Sequence, residues 1–183
     1  MAIDLHGPGL WYATRAAGLV TLLLLTASVL LGVLTAGRFS NDRWPRFVTV
    51  GLHRNISLLA GVFLALHVGT TVLDTFVSIP VIAVFVPFVS AYKTFWLGLG
   101  TIAADLLLAL LATSLLRSRL GHRSWRRVHW LAYACWPIGL AHGLGIGTDR
   151  ATTWVFGLTV ACAAAVAAAA TWRVVTAVRL GVR

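Results

Sequence analysis

Four of the six histidines in this 183-residue sequence stand inside long apolar runs, in two pairs of nearly equal spacing. His53 and His67 are fourteen residues apart in LHRNISLLAGVFLALH, and His129 and His142 are thirteen apart in VHWLAYACWPIGLAH. An ionisable side chain within such a run is costly to keep dry, so it marks a functional site by default. At about 1.5 Å per helical residue, the two histidines of each run are separated by roughly 20 Å along the axis. If the two helices run in the same direction, His53 and His129 share one depth and His67 and His142 another. That leaves room for two stacked cofactors, each held between one imidazole from each helix. A lone histidine in such a run would only hydrogen-bond a neighbouring helix; four, paired by depth, point to ligation. Zinc gathers three or four ligands around one ion, which side chains so far apart cannot do. Two sites of two ligands call for a cofactor bringing four equatorial nitrogens of its own, and imidazole is a common ligand of haem iron.

Fourteen residues make nearly four helical turns, so His53 and His67 share a face, whereas thirteen make about 3.6 turns and rotate His142 away from His129. Pro137 and Gly139 lie between the second pair, and a kink or local unwinding there is expected to restore the alignment. A flat macrocycle also needs small residues beside it: Gly61 is close to midway between His53 and His67, and Gly139 and Gly143 flank the outer half of the other helix. Its anionic propionates need basic neighbours. Arg54 directly follows a proposed ligand and Arg127 precedes another, with Arg123 and Arg126 close by; Arg15, Lys93 and Arg150 fall near the outer pair. Asp105 is the only acid at mid-depth, and proton handling and hydrogen bonding both stay open for it. His6 and His122 lie outside the runs as solvated side chains. Cys135 and Cys162 fall inside them as small buried residues, not as a disulfide or thiolate ligands.

The elements that must position these residues follow from composition. The chain is 59% apolar, only 11% charged and carries a formal charge of +10. A soluble domain has about a quarter of its residues charged, so the reading is an all-α integral membrane bundle of about five spans. These fall at about 10–34, 47–76, 91–116, 124–145 and 152–178, in a single domain with no room for a soluble catalytic one. Residues 78–90, SIPVIAVFVPFVS, are apolar but broken by Pro80 and Pro87, and read as a re-entrant or interfacial cap. The alanine-rich centre of the last span suits close helix packing. The N-terminus has no basic leader, and its first apolar run is too long for a signal-peptide core, so it counts as a retained helix.

The basic residues form no stripe of the kind that binds nucleic acid; they mark topology. Arg38, Arg43, Arg46, Arg54, Arg117, Arg119, Arg123, Arg126, Arg127, Arg173, Arg179 and Arg183 fall on one side. Only Arg15, Lys93 and Arg150 fall on the other, with Asp4, Asp74 and Asp149. Short basic loops stay cytoplasmic, so the N-terminus is expected outside a plasma membrane and the C-terminus inside. Trp44 and Trp125 at the inner ends, and Trp11, Trp96 and Trp154 at the outer ends, match the aromatic belts of a lipid bilayer.

Over roughly residues 10 to 178 the chain resembles the ferric reductase-like transmembrane domain superfamily, which includes the NADPH oxidases, the ferric reductases and the haem subunit of the bacterial methionine sulfoxide reductase system. The resemblance rests on the two histidine spacings, on RSWRRVHW before His129, and on VPFVSAYKTFWLGLG between the histidine helices. It implies two b-type haems, an inner one on His53 and His129 and an outer one on His67 and His142, carrying electrons across the membrane. The family's oxidases continue into cytoplasmic flavin and nicotinamide domains, whereas this sequence stops at Arg183. The donor is therefore expected to be a separate flavin reductase or a membrane quinol. The acceptor on the far side is ferric iron, oxygen, quinone or a flavoprotein. The chain is then an oxidoreductase or its electron-transfer subunit. Two other readings stay open: a quinone-reactive cytochrome b subunit of a larger complex, and a non-redox helical module whose histidines relay protons or only pack.

Overall fold

In a computed structural model, residues 9–37, 44–148 and 152–179 are described. Asp4, His6, Arg38, Arg43, Asp149, Arg150 and Arg183 lie outside them. The described residues form seven helices: α1 Gly9–Ala36, α2 Arg46–Leu73, α3 Thr94–Leu115, α4 Arg117–Leu120, α5 His122–His129, α6 Ala132–Ile146 and α7 Thr153–Arg179. One 3-10 turn, Val81–Val84, interrupts the connection from α2 to α3. Four helices, α1, α2, α3 and α7, are long and apolar enough to cross a membrane. A helix of 28 residues, as in α1 and α2, rises about 42 Å, more than the roughly 30 Å of a bilayer's hydrocarbon core. The outward surface is apolar, with Val62, Leu66 and Phe156 all exposed.

The ends of these helices have local causes. α2 stops at Leu73, three residues short of the sequence expectation, because the Asp74 carboxylate turns back to accept the Phe76 N–H at 2.9 Å. This side-chain acceptor competes with helix continuation. α3 starts only at Thr94, after Lys93 adopts a left-handed backbone at φ 39, and the Thr94 hydroxyl donates to the Ser90 carbonyl at 2.8 Å. Between them the apolar segment lies on α3, tied by the buried Thr101 hydroxyl, which donates to the Ala83 carbonyl at 2.7 Å.

The fourth expected span is two helices, α5 and α6, joined at Trp130 and Leu131. Neither is long enough to cross alone; the stretch 122–146 taken together rises about 37 Å. The expected distortion at Pro137 and Gly139 is absent, and α6 stays helical through Pro137. The chain tightens instead just after His129, where Leu131 N–H bonds Val128 O, Tyr133 N–H bonds Trp130 O and Ala134 N–H bonds Leu131 O. These are three-residue steps, and each residue so wound turns about 20° further than in an α-helix. That extra rotation moves His129 and His142 toward a common face.

Packing is pairwise. α1 lies along α2, α3 along α6, and α7 rests on α1, while α2, which carries His53 and His67, is not closely packed against α5 or α6, which carry His129 and His142. A small core of Leu107, Leu110 and Cys135 joins the pairs, with Leu25, Leu64 and Ala132 against it. Both cysteines are free and buried. The Cys135 thiol donates to the Ala103 carbonyl at 3.4 Å.

Candidate functional site: two facing histidine pairs

The four imidazoles meet across the space between α2 and the α5–α6 stretch, His53 facing His129 at the end of α5 and His67 facing His142 on α6. His53 and His129 have ring centroids 6.1 Å apart with planes at 78°. His67 and His142 are 6.2 Å apart at 80°. Each spacing would leave room for a metal ion between the two rings at a metal–imidazole bond of about 2 Å. Among the described residues, no group of three or more His, Cys, Asp or Glu side chains could hold an ion; each pair stands alone.

What turns the rings is helix backbone elsewhere in the chain. His53 Nδ1 lies 2.9 Å from the Ser28 carbonyl, His67 Nδ1 lies 2.8 Å from the Thr14 carbonyl, and His142 Nδ1 lies 2.8 Å from the Trp96 carbonyl. A carbonyl only accepts, so each Nδ1 carries the proton and donates. The lone pair is left on Nε2, the pattern that orients histidines which bind metals. Glycines make room for these contacts. A Cβ at Gly18 would stand 3.1 Å from the His67 ring, one at Gly32 would stand 3.4 Å from the His53 ring, and one at Gly100 would run into the His142 ring. Hydroxyl pairs clamp α1 to α2 at both levels, Thr14 to Thr70 at 2.8 Å and Ser28 with Ser57 at 2.6 Å.

His129 is built differently. Its Nδ1 is buried and has no hydrogen-bond partner among the described residues. Its ring stacks instead on Trp125, 4.8 Å away at 27°, and Trp125 is anchored to α3 by an Nε1–H donated to the Ser114 hydroxyl at 3.3 Å. The Arg117 guanidinium sits 4.3 Å over the same indole.

A cavity of about 320 Å³ opens at the outer pair, lined by His67, His142, Gly18, Gly100 and Gly139 and roofed by Val77, Ile79 and Ala83 of the α2–α3 connection. That lies at the low end of the range of small-molecule sites, about 300–1,000 Å³. Between the two levels the buried Trp136 donates its indole N–H to Thr26 at 3.0 Å.

The remaining sequence candidates divide. Gly139 lines the outer cavity. Gly61 does not serve the histidine gap; it faces α3, where a Cβ would stand 2.6 Å from Leu111. Arg54 and Arg127 are exposed, and no hydrogen bond or ion pair joins them to other described residues. Lys93 is spent on the end of α6, donating to Gly145 O at 3.4 Å and Ile146 O at 3.3 Å. Arg15 lines the outer cavity and lies 4.0 Å over Trp11. Asp105 is exposed on α3. Sequence reasoning missed Thr14, Ser28, Trp96 and their glycines. A signal existed on α1, where Thr14 with Gly18 and Ser28 with Gly32 repeat at the same fourteen-residue interval as His53 and His67.

One family model, Domain of unknown function (DUF8596), matches residues 9–149, a stretch that holds all four paired histidines and leaves out α7. No curated protein and no solved structure matches the chain.

Proposed function

The chain belongs to the DUF8596 family, and we propose that it carries electrons across a membrane through two bis-histidine b-type haems, in the manner of the ferric reductase-like proteins it resembles. The observation that carries this reading is the pair of facing imidazole sets, 6.1 and 6.2 Å apart. Three of the four rings hold an Nδ1–H on a backbone carbonyl. His53 and His129 hold the inner group, and His67 and His142 the outer. Haem bound in such pairs supplies reversible one-electron chemistry without an open position on the iron.

The residues then act as a scaffold. Carbonyls of α1 and α3 orient three of the four rings, the glycines beside them set how near the helices come, and Trp136 fills the space between the levels. α1, α2, α3, the α5–α6 stretch and α7 make five crossings of a plasma membrane. Their Lys and Arg distribution puts the N-terminus outside and the C-terminus in the cytoplasm. The donor is a cytoplasmic flavin reductase or a quinol; the acceptor, ferric iron, oxygen, quinone or a flavoprotein, meets the outer site beneath the α2–α3 connection.

Purified protein should show a reducible b-type spectrum with about two haems per chain. Proteoliposomes supplied with a flavin reductase or quinol on the cytoplasmic face should then reduce a ferric chelate on the other face. A preparation with no haem sinks the proposal.

A further inference from the structure

Resting on the two-haem reading above, we infer that the inner site holds the higher reduction potential, because His129 is the one ligand whose Nδ1 has no carbonyl partner. Three ligands share one device: a carbonyl at position i of a neighbouring helix with glycine at i+4. These are Thr14 and Gly18 for His67, Ser28 and Gly32 for His53, and Trp96 and Gly100 for His142. The i+4 residue of a helix stands beside the carbonyl of residue i, so removing its Cβ lets an imidazole reach that oxygen. Fourteen residues beyond Trp96 and Gly100, at the level of His129, α3 carries Leu110 and Ser114. Serine keeps its Cβ, its hydroxyl takes the Trp125 indole N–H, and the Leu110 carbonyl already receives the Thr113 hydroxyl at 3.3 Å. The fourth copy of the device is missing, and His129 Nδ1 is buried without a partner among the described residues.

An Nδ1–H donated to a carbonyl pushes electron density onto Nε2 and favours oxidised iron. The outer pair has two such bonds and the inner pair one. Arg117 lies over Trp125, and Trp125 on His129, so a cation near the inner site favours the added electron there, against the opposing effect of Arg15 in the outer cavity.

The test is an anaerobic potentiometric titration of the full chain in nanodiscs, followed by haem absorbance. Two one-electron waves are expected, separated by at least tenfold in reduction equilibrium, about 59 mV. The upper wave should vanish in His53→Ala and the lower in His67→Ala, and Arg117→Gln should lower the upper wave alone. Coincident waves, loss of the upper wave in His67→Ala, or an Arg117→Gln shift of the lower wave or of neither would overturn the inference. Should both histidine variants lose all haem, the Arg117→Gln shift decides by itself. A wild-type chain without haem removes the underlying reading, an outcome distinct from two waves in reversed order.

Discussion

At the outer level both imidazoles lean on backbone, His67 on Thr14 and His142 on Trp96, each at 2.8 Å. At the inner level only His53 does, through Ser28 at 2.9 Å, while His129 lies flat against Trp125. Yet the two ring separations differ by only 0.1 Å, at 6.1 and 6.2 Å. Helix packing therefore sets how far apart the rings stand, and the Nδ1 bonds set which nitrogen keeps its lone pair and how basic it is. The outer site is rigidly specified by backbone; the inner one depends on a stacked side chain.

The largest effect that could break this comparison is loss of one whole site. His67→Ala and His142→Ala should each remove the same haem, and His53→Ala and His129→Ala the other, as read in reduced-minus-oxidised spectra. Matching spectra from one inner and one outer variant would refute pairing by depth. Next come the glycines. Gly100→Ala should empty the outer site, because its Cβ runs into the His142 ring, and Gly18→Ala, with a contact at 3.1 Å, should cost about 1–3 kcal/mol as overpacking. Gly32→Ala, at 3.4 Å, should be tolerated best; haem-to-protein ratio and thermal midpoint in detergent rank the three. If Gly32→Ala is the most damaging, the outer site is not the more tightly specified one.

A smaller change sharpens the inner side. Trp125→Leu should weaken haem retention at His129 by about 0.5–1.5 kcal/mol, the value of an aromatic pair, and leave the outer haem bound. The smallest effect is expected at Arg54 and Arg127: exposed substitutions usually stay within about 0.5 kcal/mol, so glutamine at either should leave both haems in place. Selective loss of the inner haem in Arg54→Gln would instead restore that residue as an anchor for the cofactor's carboxylates.

Much of the fold was legible because apolar runs and breakers act locally. The span end expected at 34 and the starts expected at 47 and 152 differ by one or two residues from the observed Ala36, Arg46 and Thr153. The errors have identifiable causes. α2 ends early because Asp74 accepts the Phe76 N–H, a bond that hydropathy does not register. Pro137 and Gly139 predict a break in the fourth span, whereas α6 absorbs that proline and the tightening falls at Trp130 and Leu131, beside His129. Gly61 was assigned to the cofactor gap from its place between two histidines, but a glycine's position in sequence does not say which neighbour it admits, and here it is Leu111.

Sequence alone determined that the histidines of each run stand roughly 20 Å apart along their axis, since rise per residue depends only on the helix itself. Which atoms orient those histidines was decided by tertiary structure. The carbonyls of Thr14, Ser28 and Trp96 belong to helices distant in the chain. At all three, packing lays the imidazole of another helix over a glycine, where no Cβ keeps it from the carbonyl. The unequal dressing of the inner and outer pairs is therefore a property of how α1 and α3 lie against their neighbours.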